Sequence, residues 1–206
     1  MNTQSGPLLS VRDLRTYFLM DEGVVKAVDG VSFDVRAGQI FGIVGESGCG
    51  KSVTIKSILR IVEDPGKIVQ GQILLRRSLR DGTNGEEELD LVGLDPQGSE
   101  IRGIRGGQIA LIPQEPMSSF SPVHTIGNQI IEAIMLHQSI GKKAARDLAH
   151  DTLRDVGVPM PERRLDEYSW QLSGGLRQRA IIAMALSCNP RLLIADEPTT
   201  AVDVTT

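Results

Sequence analysis

The sequence is poor in the residues that would mark several large protein classes. It has 206 residues but only two cysteines, Cys49 and Cys188, and no CxxC pair. A disulfide framework or a thiolate metal site is therefore not expected. Aromatic residues are 3% of the chain, with a single tryptophan. The three histidines, His124, His137 and His150, lack the i, i+4 spacing of a helical metal pair and read as solvated surface residues. Basic residues do not dominate: the net charge is -4 and the pI about 5.4, so no basic stripe points to nucleic acid. The longest apolar runs, such as Ala180 to Leu186, are too short to span a bilayer. The first ten residues, MNTQSGPLLS, lack the basic and apolar regions of a secretory signal.

What remains is an ordinary globular mix, 40% hydrophobic and 23% charged, on a chain of single-domain length. Leu8 to Phe18 and Val24 to Val35 alternate apolar and polar residues and predict two strands around the turn Asp21-Glu22-Gly23. Gln39 to Val44 reads as a buried strand running into a glycine-rich turn and a helix over Lys51 to Ile61. Ile68 to Leu75 predicts a further strand, and 76–100 a polar loop or subdomain edge. Ile109 to Ile112 is a short strand, and prolines 113, 116 and 122 mark the loop after it. Helical periodicity covers Ile126 to Leu136, Ala144 to Val156 and Leu176 to Leu186, before a last strand, Arg191 to Ala195. Strands alternating with helices predict an α/β domain with a largely parallel sheet.

Three motifs carry chemistry. Gly45-Glu46-Ser47-Gly48-Cys49-Gly50-Lys51-Ser52 fits GxxxxGK[ST] between a strand and a helix, with Val53 next in the helix. Glycines let backbone N–H groups surround phosphate oxygens, Lys51 adds a full positive charge, and the Ser52 hydroxyl suits Mg²⁺. Cys49 fills a free position in the pattern and reads as a small filler. Leu192-Leu193-Ile194-Ala195-Asp196-Glu197 is an apolar strand ending in two carboxylates, one for the metal and one for the attacking water. Leu172-Ser173-Gly174-Gly175-Leu176-Arg177-Gln178-Arg179 places an N-cap serine and two glycines at a second helix start, a second phosphate-binding device in one chain.

With these motifs the sequence resembles the ABC ATPase family, whose signature is LSGGQ; Leu176 stands where the general signature has Gln. The stretches GESGCGKS, PQEPMSSFSPVHTIGNQI and QLSGGLRQRAIIAMALSCNPRLLIADEPTTAVDVT look like the dipeptide/oligopeptide importers of that family. The resemblance implies an α/β P-loop core with an antiparallel β subdomain and a helical subdomain over roughly 115–172, all within one ATPase domain over 1–206. It implies ATP and Mg²⁺ as cofactors, with Ser52, Gln114 and Asp196 around the metal. Glu197, Gln114 and Lys51 would carry hydrolysis. Phe18 would stack on adenine, with Tyr17 the second candidate. Ser173, Gly174, Gly175 and the D-loop residue Asp203 would reach a nucleotide held by a second ATPase subunit, identical or paralogous.

The implied partners are membrane permease subunits and, indirectly, an extracytoplasmic solute-binding protein, with no nucleic acid; the implied place is the cytoplasmic face of the membrane. The alternatives are a soluble non-transport ABC ATPase and a non-catalytic nucleotide-binding fragment. The same resemblance places a further strand and a histidine after the D-loop. Ending at Thr206, the domain is expected to be incomplete, with Gln39 to Val44 and Arg191 to Ala195 facing a gap. Buried backbone groups left unpaired there cost about 1–3 kcal/mol each.

Overall fold

The structure, a computed structural model, describes residues 6–78, 86–115 and 119–197. The chain divides into two compact units, residues 1–102 and 103–206.

In the first unit, β1 (Leu9–Met20), β2 (Gly23–Val35), β3 (Gly66–Ser78) and β4 (Glu86–Asp90) form an antiparallel sheet in the order β2-β1-β3-β4. Leu9, Val11 and Leu14 of β1 and Ile73 and Leu75 of β3 are buried on this sheet. The helix α1 (Lys51–Ile58) is tied to β1 by a buried hydroxyl pair, Thr16 Oγ1 to Ser57 Oγ at 2.8 Å. A bulge around Asp13, with φ 41°, shifts the register of β1 against both neighbours. Gly71 faces it at φ 104°, and a Cβ there would lie 2.6 Å from the Asp13 carbonyl oxygen. Only glycine lets the two backbones approach so closely at that angle.

One expectation for this unit narrows and one changes. Of the polar stretch 76–100, read as a loop or a subdomain edge, the described residues form the edge: β3 runs to Ser78, β4 is the last strand of the sheet, and α2 (Ser99–Ile104) closes the stretch. Arg77 is buried, and its guanidinium donates to Glu87 at 2.7 Å and to Glu100 at 2.8 Å. Charges that read as a solvated run are paired across the ladder, which is how a buried arginine is tolerated. Residues 39–46, expected to begin with a buried strand, belong to no ladder among the described residues. Ile40 is 101% exposed and Val44 97%, while Phe41 stacks on Phe33 at 5.2 Å. An apolar run becomes a strand only beside another strand, and no described strand pairs with this one.

In the second unit, β5 (Ile109–Ile112) and β6 (Leu192–Ala195) pair in parallel. This two-stranded ladder is the only parallel pairing among named strands of the described residues, so the largely parallel sheet expected from the element order is not seen there. Nor is β6 fully buried, since Leu193 is 41% exposed. The helices α3 (Ile126–His137), α4 (Lys142–Asp155), α5 (Pro161–Arg164) and α6 (Gly174–Leu186) surround a separate apolar core. Thr125 caps α3 by accepting from the Asn128 N–H at 3.2 Å. Ile126, Ile130 and Ile134 recur every four residues on α3, and Ala145, Ala149 and Leu153 do the same on α4; all six are buried. Isoleucine against alanine lets the helices pack closely, knob against small residue.

His137, expected on the surface, is half-buried at the end of α3 against Gly106 and Gly107. Burial pushes its pKa below the ordinary 6.5. The unfolded chain then binds a proton that the folded chain refuses. Stability is therefore full above about pH 6.5 and declines as pH falls below it. Urea midpoints measured from pH 7 down to about pH 5 are expected to fall more steeply for the parent than for His137→Asn. An Ile130→Ala change is expected to cost about 2–5 kcal/mol at pH 7, read from the same midpoints.

Candidate functional site

In the first unit the glycine loop leads into α1. Gly50 is its N-cap at φ 95°, and a Cβ there would overlap the Ala27 carbonyl oxygen. No side chain caps this helix start and no acidic residue lies in its first turn. Its positive end is thus suited to an anion. Lys51 folds back over the loop, donating from Nζ to the carbonyls of Gly45 and Glu46, both at 2.8 Å. Those carbonyls fix the ammonium at the loop mouth, beside the Ser47-Gly48 turn. Ser52 follows on the first turn, half-buried, with Val53 beside it. Cys49 is exposed, its sulfur 3.9 Å from the Lys51 ammonium.

Tyr17 and Phe18 lie next to each other on β1 and so point to opposite faces. Tyr17 donates its hydroxyl to Asp29 at 2.6 Å, under the Lys26 ammonium, 5.4 Å from the ring centre. The edge of Phe18 covers Gly66, where a Cβ would come within 2.8 Å of Cε1.

In the second unit the parallel ladder sets Ile112 opposite Ala195. The Asp196 N–H extends the pairing to the Ile112 carbonyl at 2.9 Å. Gln114 and Glu197, each two residues past that pair, are thereby brought to the same edge. Gln114 Nε2 donates to Glu197 Oε2 at 2.8 Å. Glu197 takes φ 47°, in the left-handed region that side chains rarely occupy. Such strain concentrates where a side chain must be aimed. Asp196 is half-buried next to it.

The third motif lies at the start of α6. Ser173 accepts from the Leu176 N–H at 3.4 Å. A Cβ on Gly174 or Gly175 would meet nothing within 4 Å, so both open onto space. Leu176, in the place of the usual Gln, packs against the helical core, and that burial accounts for an apolar residue there. Asp203 lies outside the described residues, as does the 116–118 segment.

The sequence profile of the ABC transporter family matches residues 28–200. The chain belongs to the ABC transporter family. It is 49% identical over 210 residues to a probable peptide ABC transporter ATP-binding protein of Sinorhizobium fredii, covering all of this chain and 59% of that protein. It is 47% identical over 199 residues to the dipeptide transport ATP-binding protein of Bacillus subtilis, covering 96% and 56%. A dimeric bacterial ABC transporter cassette superposes with a TM-score of 0.78 at 25% identity, covering 95% of this chain and 76% of that one. The chain thus spans little more than half the length of the curated relatives it matches.

One feature at this ABC signature carried no meaning in the sequence. Trp170 and Tyr168, just before it, stack with centroids 5.7 Å apart and planes 11° apart. Tyr168 caps the short 3-10 turn Ser169–Gln171 that carries Trp170, and no motif covers the pair.

The two glycine starts are expected to respond differently to alanine. Gly50→Ala meets the Ala27 carbonyl at a forbidden φ and should lower stability by more than about 1 kcal/mol. Gly175→Ala meets nothing and should stay within about 0.5 kcal/mol. Denaturant titrations of both variants check this.

Proposed function

We propose that this protein is the ATP-binding and ATP-hydrolysing subunit of an ABC importer for peptides. The observation that carries the reading is the presence of two glycine-bearing helix starts in one chain, together with a carboxylate aimed by a strained backbone next to Gln114. One nucleotide has no use for two phosphate-binding helix starts on one molecule. Two subunits facing each other head to tail would use both, each ATP held by the loop 45–52 of one subunit and by Ser173, Gly174 and Gly175 of the other.

The donor sets fit the cofactors. An uncapped helix start, glycine N–H groups and the Lys51 ammonium are matched to phosphate anions. Ser52, Gln114 and Asp196 offer hard oxygen donors. Among the described residues no group of three His, Cys, Asp or Glu side chains could hold a metal alone. Mg²⁺ is suited to donors of this chemistry, since it takes one or two protein ligands and completes its shell with phosphates and water. When bound, it would neutralise charge on the β- and γ-phosphates. Glu197 orients the attacking water and accepts its proton, and Gln114, hydrogen-bonded to Glu197, positions that carboxylate. Lys51 stabilises the charge that builds on the phosphates. Catalysis is then mostly positioning and electrostatics.

Phe18 serves as the adenine contact, with Tyr17 committed to Asp29. By this reading the helices α3 to α5 belong to the helical subdomain of one ATPase domain, and Asp203, outside the described residues, is the residue assigned to the second subunit's nucleotide. No helix among the described residues is long and apolar enough to cross a membrane. Attachment to the cytoplasmic face would come through permease subunits, and the solute would be chosen there and by an extracytoplasmic binding protein. The peptide class rests on the likeness to the Sinorhizobium and Bacillus proteins.

Three experiments on the full-length protein test this reading. Glu197→Gln keeps the side chain's shape but removes the base. It should retain ATP binding, lower turnover by at least about a hundredfold and accumulate an ATP-bound dimer on size exclusion. Lys51→Ala should abolish ATP binding, and wild-type affinity in that variant would remove the assignment. With Cys49 and Cys188 replaced by serine, cysteines at Ser47 and Ser173 should crosslink between subunits only with ATP present. Crosslinks confined within one molecule would contradict the shared site.

A further inference from the structure

Trp170, the only tryptophan in the chain, is 64% exposed. Tryptophan is highly buried on average, and an indole kept in water by its own fold is available to another surface. Nor is this indole loosely held. It stacks on Tyr168, and the backbone between and after them is fixed on both sides. The Tyr168 N–H donates to Gln171 Oε1 at 2.8 Å, and the Gln171 N–H returns to the Tyr168 carbonyl at 3.0 Å. The Leu172 N–H closes on the Ser169 carbonyl at 3.2 Å, and both Ser169 and Leu172 are buried. Tyr168 is further bridged to Thr125 at the start of α3. The result is a rigid aromatic platform built on a loop anchored in the helical core.

The platform stands immediately before the open glycines of α6. From Trp170 to the cap residue Ser173 is a reach of at most about 10 Å of chain. One short rigid loop therefore offers a flat π-face at one end and phosphate-seeking N–H groups at the other. A lipid headgroup or a protein helix answers one of these features but not both. A nucleoside triphosphate, with a base at one end and phosphates at the other, answers both.

We propose that Trp170 is a base-contacting residue for the nucleotide whose γ-phosphate the signature engages. The purine of an ATP held by the second subunit stacks on the exposed indole, and Tyr168 backs the ring from behind. This rests on the reading of the signature given above. Because the indole is pre-set by its neighbour, little side-chain freedom is lost on stacking. A purine covers more of the ring than a pyrimidine does, so Trp170 also sets a preference among nucleotides.

The test uses the full-length protein with its partner subunits. Trp170→Ala should raise the KM for ATP about tenfold, more than it changes kcat. It should also shrink the preference for ATP over CTP, and Trp170→Phe should restore most of both. In the Glu197→Gln background, the emission lost on replacing Trp170 by Phe should be the part quenched by ATP and left unquenched by tripolyphosphate. An unchanged ATP-to-CTP ratio in Trp170→Ala overturns the proposal. Equal quenching by tripolyphosphate also overturns it, because the indole is then covered by protein on closure. Lys51→Ala separates the two readings. If it abolishes ATP binding while Trp170→Ala keeps the ratio, only this inference fails; if it binds ATP normally, the nucleotide reading fails first.

Discussion

The parallel register of β5 and β6 is the constraint on which the acidic site depends. Setting Ile112 opposite Ala195 puts Gln114 and Glu197 on one edge, 83 residues apart in sequence yet in hydrogen-bond contact. The side-chain period of a strand is two, so a slip of one residue would turn every side chain of β6 to the other face. Gln114 and Glu197 would then no longer meet. The register is held by β5, where Ile109, Ala110 and Ile112 are buried, more than by β6, which is half-open. The strained φ of Glu197 adds aim to a position that the ladder has already chosen.

The two helix starts use the same physics with different surroundings. At α1 the cap is a glycine that backbone sterics demand, since the Ala27 carbonyl lies where a side chain would begin. At α6 the cap is a serine, and the glycines after it face open space. The first start is thus shaped by its own sheet and closed over by Lys51. The second is presented outward, with an aromatic pair at its side. A closed start and an open start are complementary halves, which is the basis of the proposed facing second subunit. The proposed role of Trp170 extends that complementarity from the phosphates to the base.

The helical core supports this outward presentation. Leu172 and Ala180 bury the two ends of the signature segment, and Leu176 fills the place of a polar residue against the same core. The loop can therefore hold a fixed shape without contacts to its exposed face. Rigidity of this kind lowers the cost of binding, because fewer side chains remain to be ordered when a ligand arrives.

Most of the elements were legible in the sequence because their patterns are local. The isoleucines of α3, the alternation of β1 and the GxxxxGKS and LSGG motifs each report a period or a steric demand within a few residues. The sequence by itself also determined the family and supplied the residue types proposed to meet phosphate. What it did not determine were properties that depend on distant neighbours. In the charged stretch 76–100, the pairing of Arg77 with Glu87 on the next strand and with Glu100 was set by the fold. The apolar run 39–44 formed no strand because no described strand lies beside it, and half-buried His137 depended on two glycines with no side chain to cover it. The contact of Gln114 with Glu197 and the stacking of Trp170 on Tyr168 were likewise decided only by tertiary structure. A ladder partner, an ion-pair partner and a stacking partner are supplied by the fold, whereas periodicity and backbone sterics are already present in the chain.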